Sequence, residues 1–175
     1  MRDHNKIRRF EQNVLPHLDA AYNLARWLTR NDLDAEDVVQ ESYLRAFKFF
    51  ESFRGTDSRA WLLAIVRNTC YTMMQQHRAS EIETPFDEEL HSPEPDNHDP
   101  ETMLLQSIST RLLHDAIEEL PVEYREVFVL RELEGLSYKE IATIAAIPLG
   151  TVMSRLARAR KRLQSSLFQH MSKES

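Results

Sequence analysis

Residues 79–103, ASEIETPFDEELHSPEPDNHDPETM, contain nine Asp and Glu, no Lys or Arg, and four of the chain's seven prolines: Pro85, Pro93, Pro95 and Pro100. With so few aliphatic side chains, this stretch cannot recover its ordering entropy by burial, and its like charges repel one another. It reads as an acidic, Pro-rich flexible linker, stiffened by proline and by charge. A chain of 175 residues is long enough for one medium domain or two small ones. The expectation is therefore two small domains, residues 1–78 and 104–175.

Charge supports the division. Residues 1–78 carry 12 Lys and Arg against 10 Asp and Glu, and residues 104–175 carry 10 against 9, so the formal net charge of −6 arises in the linker. No apolar run approaches the roughly 18 to 20 residues of a membrane span, and the first 30 residues lack a signal-peptide apolar segment. The expected location is the cytoplasm, without membrane insertion. Cys70 is the single cysteine, which excludes an internal disulfide and reads as core filler.

Both flanks have a helical period, with apolar residues recurring at three and four and only three glycines, Gly55, Gly135 and Gly150. No strand pattern competes. In the first flank, Leu18, Tyr22, Ala25 and Leu28 form a stripe after Pro16, and Asp34 is the expected N-cap of a helix over 35–51. A further helix is predicted from Asp57 or Ser58 to about His77, with Trp61, Leu62, Ile65 and Val66 inside. In the second flank, Leu105, Ile108, Leu112, Ala116 and Leu120 form a stripe that ends at Pro121. The helix opened by Pro121 is expected to stop at Gly135.

Ser137 and Glu140 have the spacing of a capping box, which predicts a short helix from Tyr138 to about Ala145. The chain then turns through Ala146, Ile147 and Pro148 and re-enters a helix near Gly150. Two helices joined by so tight a turn make a helix-turn-helix arrangement. Within the second helix, Val152, Leu156, Ala159 and Leu163 mark the inward stripe. Thr151, Arg155, Arg158 and Arg162 fall on a face about 100° around. With Arg160 and Lys161, five cations crowd into residues 155–162. Such a face can neutralise phosphates and present side chains to base edges in a major groove.

At these residues the chain resembles a known family. ELPVEYREVFVLRELEGLSYKEIA, followed by IPLGTVMSRLARARKRL, resembles region four of bacterial RNA polymerase sigma factors of the extracytoplasmic-function (ECF) group. DAEDVVQESYLRAFKFFESFRG, followed by RAWLLAIVRNTCY, resembles their region two. The resemblance implies an all-α chain with a region-two bundle, a linker and a region-four helix-turn-helix. It also implies a function: binding core RNA polymerase and directing promoter-specific initiation, under the control of an anti-sigma factor, without a cofactor and without enzymatic activity.

The same resemblance assigns residues. Docking on the polymerase clamp falls to Asp37, Gln40 and Glu41 with Leu44, whereas Phe47 reads as core. Capture of melted −10 DNA falls to Phe53, Arg54, Gly55, Thr56, Asp57, Ser58, Arg59, Arg67 and Asn68, while Trp61, on an apolar stripe, reads as core. Recognition of the −35 duplex falls to Thr151, Ser154, Arg155, Arg158, Lys161 and Arg162, with Arg160 and Arg162 expected to meet phosphate. Two departures stand out. Ala146 occupies the position where the family usually has glycine in the turn, and Met153 occupies one that is often Lys or Arg. The acidic linker is expected to act either as a mimic of RNA in the polymerase channel, through Asp87, Glu88, Glu89, Glu94 and Asp96, or as a plain tether.

A ligand-sensing helix-turn-helix regulator of duplex operators would explain the second flank, but neither the DAEDVVQE run nor the linker. For an enzyme the signals are absent. The seven histidines show no metal-ligand spacing, and there is no glycine-rich phosphate loop or nucleophile elbow.

Overall fold

The computed structural model describes residues 2–83 and 104–173, all helices and turns. Residues 84–103, most of the acidic stretch, lie outside the described residues, and with them the five carboxylates assigned to RNA mimicry. Four helices form an N-terminal lobe: α1 (Arg2–Val14), α2 (Leu18–Thr29), α3 (Asp32–Phe49) and α4 (Ser58–Glu83). Four more form the second: α5 (Leu104–Glu118), α6 (Val122–Phe128), α7 (Tyr138–Ala145) and α8 (Leu149–Lys173).

In the first lobe α2, α3 and α4 pack against one another through Ala21, Leu24, Leu28, Val38, Ala46, Leu62 and Val66, all buried. Phe10 of α1 closes one end, edge-on to Tyr43, Phe47 and Phe50 with ring centroids 6.0, 5.3 and 5.6 Å away. The buried stripe of α2 is Ala21, Leu24, Ala25 and Leu28, so the expected stripe is corrected at its first two positions. Leu18 is exposed and Tyr22 is half-buried, because the two alanines, lacking bulk, are the residues that let α2 approach its neighbours.

The cap of α3 also differs from expectation. Asn31, in an extended conformation, accepts the amide of Asp34 at 3.0 Å, which places Asp32 and Asp34 in the first helical turn. There their charges meet the positive end of the helix dipole. At the other end the α-helix stops at Phe49, and residues Phe50–Ser52 tighten into a 3₁₀ turn. The helix starts at Ser58, as expected, with Asp57 accepting the Ala60 amide at 3.0 Å, but α4 runs on to Glu83 rather than ending near His77.

Pro121 opens α6, and the chain continues through a π-helical stretch, Val129–Leu133, before Gly135 turns it at φ 69°. Ser137 and Glu140 form both halves of the capping box, at 3.1 and 3.0 Å. The axis then bends by 101° between α7 and α8. Val152, Leu156, Ala159 and Leu163 are buried, as their spacing predicts. The turn rests on Ala146 at φ 55° and ψ 48°, a left-handed conformation in which Cβ crowds the following carbonyl.

Ala146→Gly relieves that crowding without touching the core. It should raise the urea midpoint of unfolding, by the equivalent of up to about 1 kcal/mol, with an unchanged slope.

Candidate nucleic-acid interface

The two lobes dock, α4 against α7 and α2 against α6, and their buried side chains join into one cluster. This contact decides which of the predicted site residues face solvent.

On α8, Ser154, Arg158, Lys161 and Arg162 are exposed and Thr151 and Arg155 half-buried. Arg155, Arg158 and Lys161 make no ion pair among the described residues, so these cations stand ready for an external anion. Arg160 and Arg162 differ. Arg160 donates to Glu132 at 2.7 Å, and the Arg162 guanidinium lies 5.2 Å from the Tyr124 ring centroid. Each would exchange an internal partner for phosphate. Ser154 donates its hydroxyl to the Thr151 carbonyl at 3.1 Å, which holds it against the helix. Leu149 and Met153, one turn apart, are also exposed on the first turns of α8.

On α3, Asp37, Gln40, Glu41 and Leu44 are all exposed, with Glu41 paired to Arg45 at 3.1 Å. Leu33, which the sequence reading missed, is 68% exposed, as is Leu44. The two leucines bracket the polar residues at helical spacing, off the buried stripe of Ala35, Val38, Ser42 and Ala46. An apolar residue at this spacing on the face away from that stripe was the available signal. Phe47 packs on Phe10, in keeping with a core role.

The residues assigned to the −10 strand divide into two groups. Arg54, Gly55, Thr56, Asp57 and Asn68 are exposed. Phe53 lays its ring on Trp61, with centroids 4.8 Å apart, and a Cβ at Gly55 would approach the Phe53 ring to 3.1 Å. Trp61 is half-buried against the core, as its stripe predicts. Ser58 meets His17 at 3.3 Å, and burial followed by the neighbouring Arg59 charge lowers the His17 pKa.

The two cations of α4 assigned to the −10 strand, Arg59 and Arg67, are engaged by the second lobe. Arg59 donates to the carbonyl of Glu134 and reaches its carboxylate. Arg67 Nε donates to Glu126 Oε1 at 2.5 Å, and the Tyr71 hydroxyl donates to Glu126 Oε2 at 2.8 Å. Glu126 has no solvent exposure. Burial opposes the Arg67 charge, yet the hydrogen bond and charge of Glu126 outweigh it and raise the pKa. Burial, then the charge of Glu126, pushes the Tyr71 phenol well above its ordinary range.

A further guanidinium ties helix ends together. Arg125 donates to the carbonyls of Leu120 at 2.8 Å, Glu118 at 3.0 Å and, across the lobes, Leu28 at 3.2 Å. These carbonyls lie near the ends of α5 and α2, where intrahelical donors run out. Burial, then the nearby Arg30 charge, lowers the Arg125 pKa to about 10, which still leaves it charged at neutral pH. Among the described residues, His114, Asp115 and Glu118 are the one group whose ligand atoms lie close enough for a metal ion. It is an exposed ion-pair cluster with Glu118 facing Arg26 at 3.4 Å.

Comparison with known proteins gives two family matches: Sigma-70 region 2 over residues 14–80 and Sigma-70, region 4 over residues 110–163. The chain is 36% identical over 155 residues to the ECF RNA polymerase sigma-E factor of Haemophilus influenzae, covering 82% of this chain and 79% of that one. It is 37% identical over 141 residues to the ECF RNA polymerase sigma-E factor of Salmonella typhimurium strain LT2, covering 77% and 74%. Among solved structures it is similar to the sigma factor RpoE in complex with the anti-sigma factor NepR from Bartonella quintana. There the TM-score is 0.73 at 30% identity, with 91% of this chain and 96% of that chain covered.

The Arg160–Glu132 pair is half-exposed on both sides, and exposed pairs contribute little. Arg160→Ala and Glu132→Ala should each shift stability by less than about 1 kcal/mol in urea denaturation, with a coupling below that in the double variant.

Proposed function

Because the chain belongs to the sigma-70 family, in its ECF group, we propose that it directs initiation through three separate faces. The outer face of α3 (Leu33, Asp37, Gln40, Glu41 and Leu44) meets core RNA polymerase. The loop before α4, with Arg59, Arg67 and Asn68, captures the melted −10 strand. The face of α8 carrying Thr151, Ser154, Arg155, Arg158, Lys161 and Arg162 reads the −35 duplex. The observation that carries this reading is the sorting of α8, whose apolar stripe is buried while Arg155, Arg158 and Lys161 project unpaired beside a helix-turn-helix bend.

Chemically, each face suits its task. The guanidinium of Arg155 or Arg158 can donate two parallel bonds to guanine in the major groove. Melted DNA exposes unpaired bases and a flexible phosphate backbone, which a loop next to cations can hold. The chain acts by binding alone and catalyses no covalent step. Its work is done in the cytoplasm, where polymerase and promoter are found. An anti-sigma factor controls it, by analogy with the relative from Bartonella quintana. Transcription reconstituted from core polymerase, this chain and a promoter library tests the reading, which requires promoter-selective transcripts that depend on the chain.

Asp37→Ala combined with Glu41→Ala should weaken binding to core polymerase roughly tenfold, or about 1.4 kcal/mol, with helicity unchanged; equal affinity would remove these residues from the interface. Arg155→Ala or Arg158→Ala should lower affinity for a matched −35 duplex by about 1 to 3 kcal/mol and leave scrambled duplexes little affected. Arg162→Ala, if it touches only phosphate, should weaken all sequences alike and reduce the salt slope by about one. Duplex titrations over a range of salt separate these outcomes.

A further inference from the structure

The buried stripe of α8, Val152, Leu156, Ala159 and Leu163, divides the rest of the helix into two flanks. At about 100° per residue, the residue before each stripe position lies to one side of it and the residue after lies to the other. The preceding flank is Thr151, Arg155, Arg158 and Arg162, polar throughout. The following flank differs. It begins with Met153 and Ala157, both exposed, and Leu149 stands one turn before Met153. Leu149 is 49% and Met153 52% exposed, although each carries a large apolar side chain. The cation of this flank, Arg160, donates to Glu132 at 2.7 Å, so its charge is met within the protein. One side of the helix therefore offers charge, and the other offers the apolar row Leu149, Met153 and Ala157.

The neighbours of that row restrict what can cover it. Ser154 and Lys161 project between the two flanks, opposite the buried stripe, and both are exposed, as is Arg158. A partner that covers Met153 must therefore also accept cations within two turns of it. An apolar protein helix would bury those charges unpaired, which is costly. Duplex DNA meets both requirements in one groove: phosphates at its walls for the cations and, at each A·T pair, the 5-methyl group of thymine on the base edge. The major groove is about 12 Å wide, close to a helix diameter, so both flanks can touch it at once. Met153 suits a methyl contact, since its unbranched thioether adapts to the position of what it covers. Met153 and Ala157 are separated by about 6 Å along the axis, within reach of two adjacent base pairs about 3.4 Å apart.

We propose that Leu149, Met153 and Ala157 form a thymine-selecting edge of α8, which contacts the 5-methyl groups of one or two adjacent A·T pairs in the −35 duplex. The proposal rests on the assignment of α8 to that duplex made above. The two flanks then divide the reading: guanidiniums take guanine or phosphate, and the apolar row takes thymine. Cytosine lacks the methyl and presents an amino donor instead, so the row favours thymine over it.

The test uses holoenzyme reconstituted from core polymerase and the full chain. Holoenzyme first selects binders from a randomised promoter pool. Each thymine in the −35 segment of the selected duplex is then replaced singly by deoxyuridine, which removes the methyl and keeps the base pairing. Expected is an affinity loss of about fourfold at one or two adjacent positions, the size of one buried methyl group. Met153→Ala, at an exposed position, should lower affinity for the unmodified duplex by a similar factor and make it indifferent to deoxyuridine there. Leu149→Ala gives a second, independent variant for the same comparison. Parent holoenzyme that tolerates deoxyuridine at every position, or selects no thymine in this segment, overturns the proposal. So does a penalty that persists undiminished in both variants, because another residue then reads the methyl. The double variant Arg155→Ala with Arg158→Ala separates the two levels. If it loses affinity while deoxyuridine is tolerated, the −35 reading stands and the apolar row belongs to a protein partner instead. If it binds the selected duplex as tightly as the parent, the −35 reading itself is wrong, and the proposal falls with it.

Discussion

One buried carboxylate organises the molecule. Glu126 sits at zero exposure between a guanidinium and a phenol that both belong to the other lobe, so it is satisfied only while the lobes are together. Arg125, its neighbour in sequence, does the complementary job, feeding one guanidinium to carbonyls at the ends of α5 and α2. Two adjacent residues of opposite charge thereby join an apolar cluster that α2 and α4 share with α6 and α7. Polar contacts of this kind confer a specific docking geometry more than depth of stability.

Much of the second lobe was legible because its signals are local. A capping box needs Ser137 and Glu140 three residues apart, and the inward stripe of α8 needs only its own period. Ala146 adopts the left-handed turn even though alanine is strained there, since the surrounding helices leave the chain no other route. Less local features were missed. Asn31 displaced Asp34 as the cap of α3, a shift of three residues that two neighbouring acids made hard to see. The α2 stripe moved because helix approach favoured small alanines over Leu18. The roles of Glu126 and Arg125 could not be read at all. Their partners across the lobes lie 55 to 97 residues away, and no periodicity records such pairing.

The arrangement also separates tasks by accessibility. The side chains proposed to face polymerase and to read duplex DNA stand on the outside of α3 and α8, where charge and exposed leucines cost the fold little. Of the cations proposed to hold the −10 strand, Arg59 and Arg67 sit where the lobes meet, whereas Arg54 is exposed.

The central claim is that Glu126, with its partners Arg67 and Tyr71, holds the two lobes together. The distance between spin labels at Gln75→Cys and Gln164→Cys, both exposed positions, measured with Glu126 in place and again with Glu126→Gln, tests it most directly. The account predicts a single short distance that becomes longer and broader in the Glu126→Gln variant. The same distribution in both samples would contradict it.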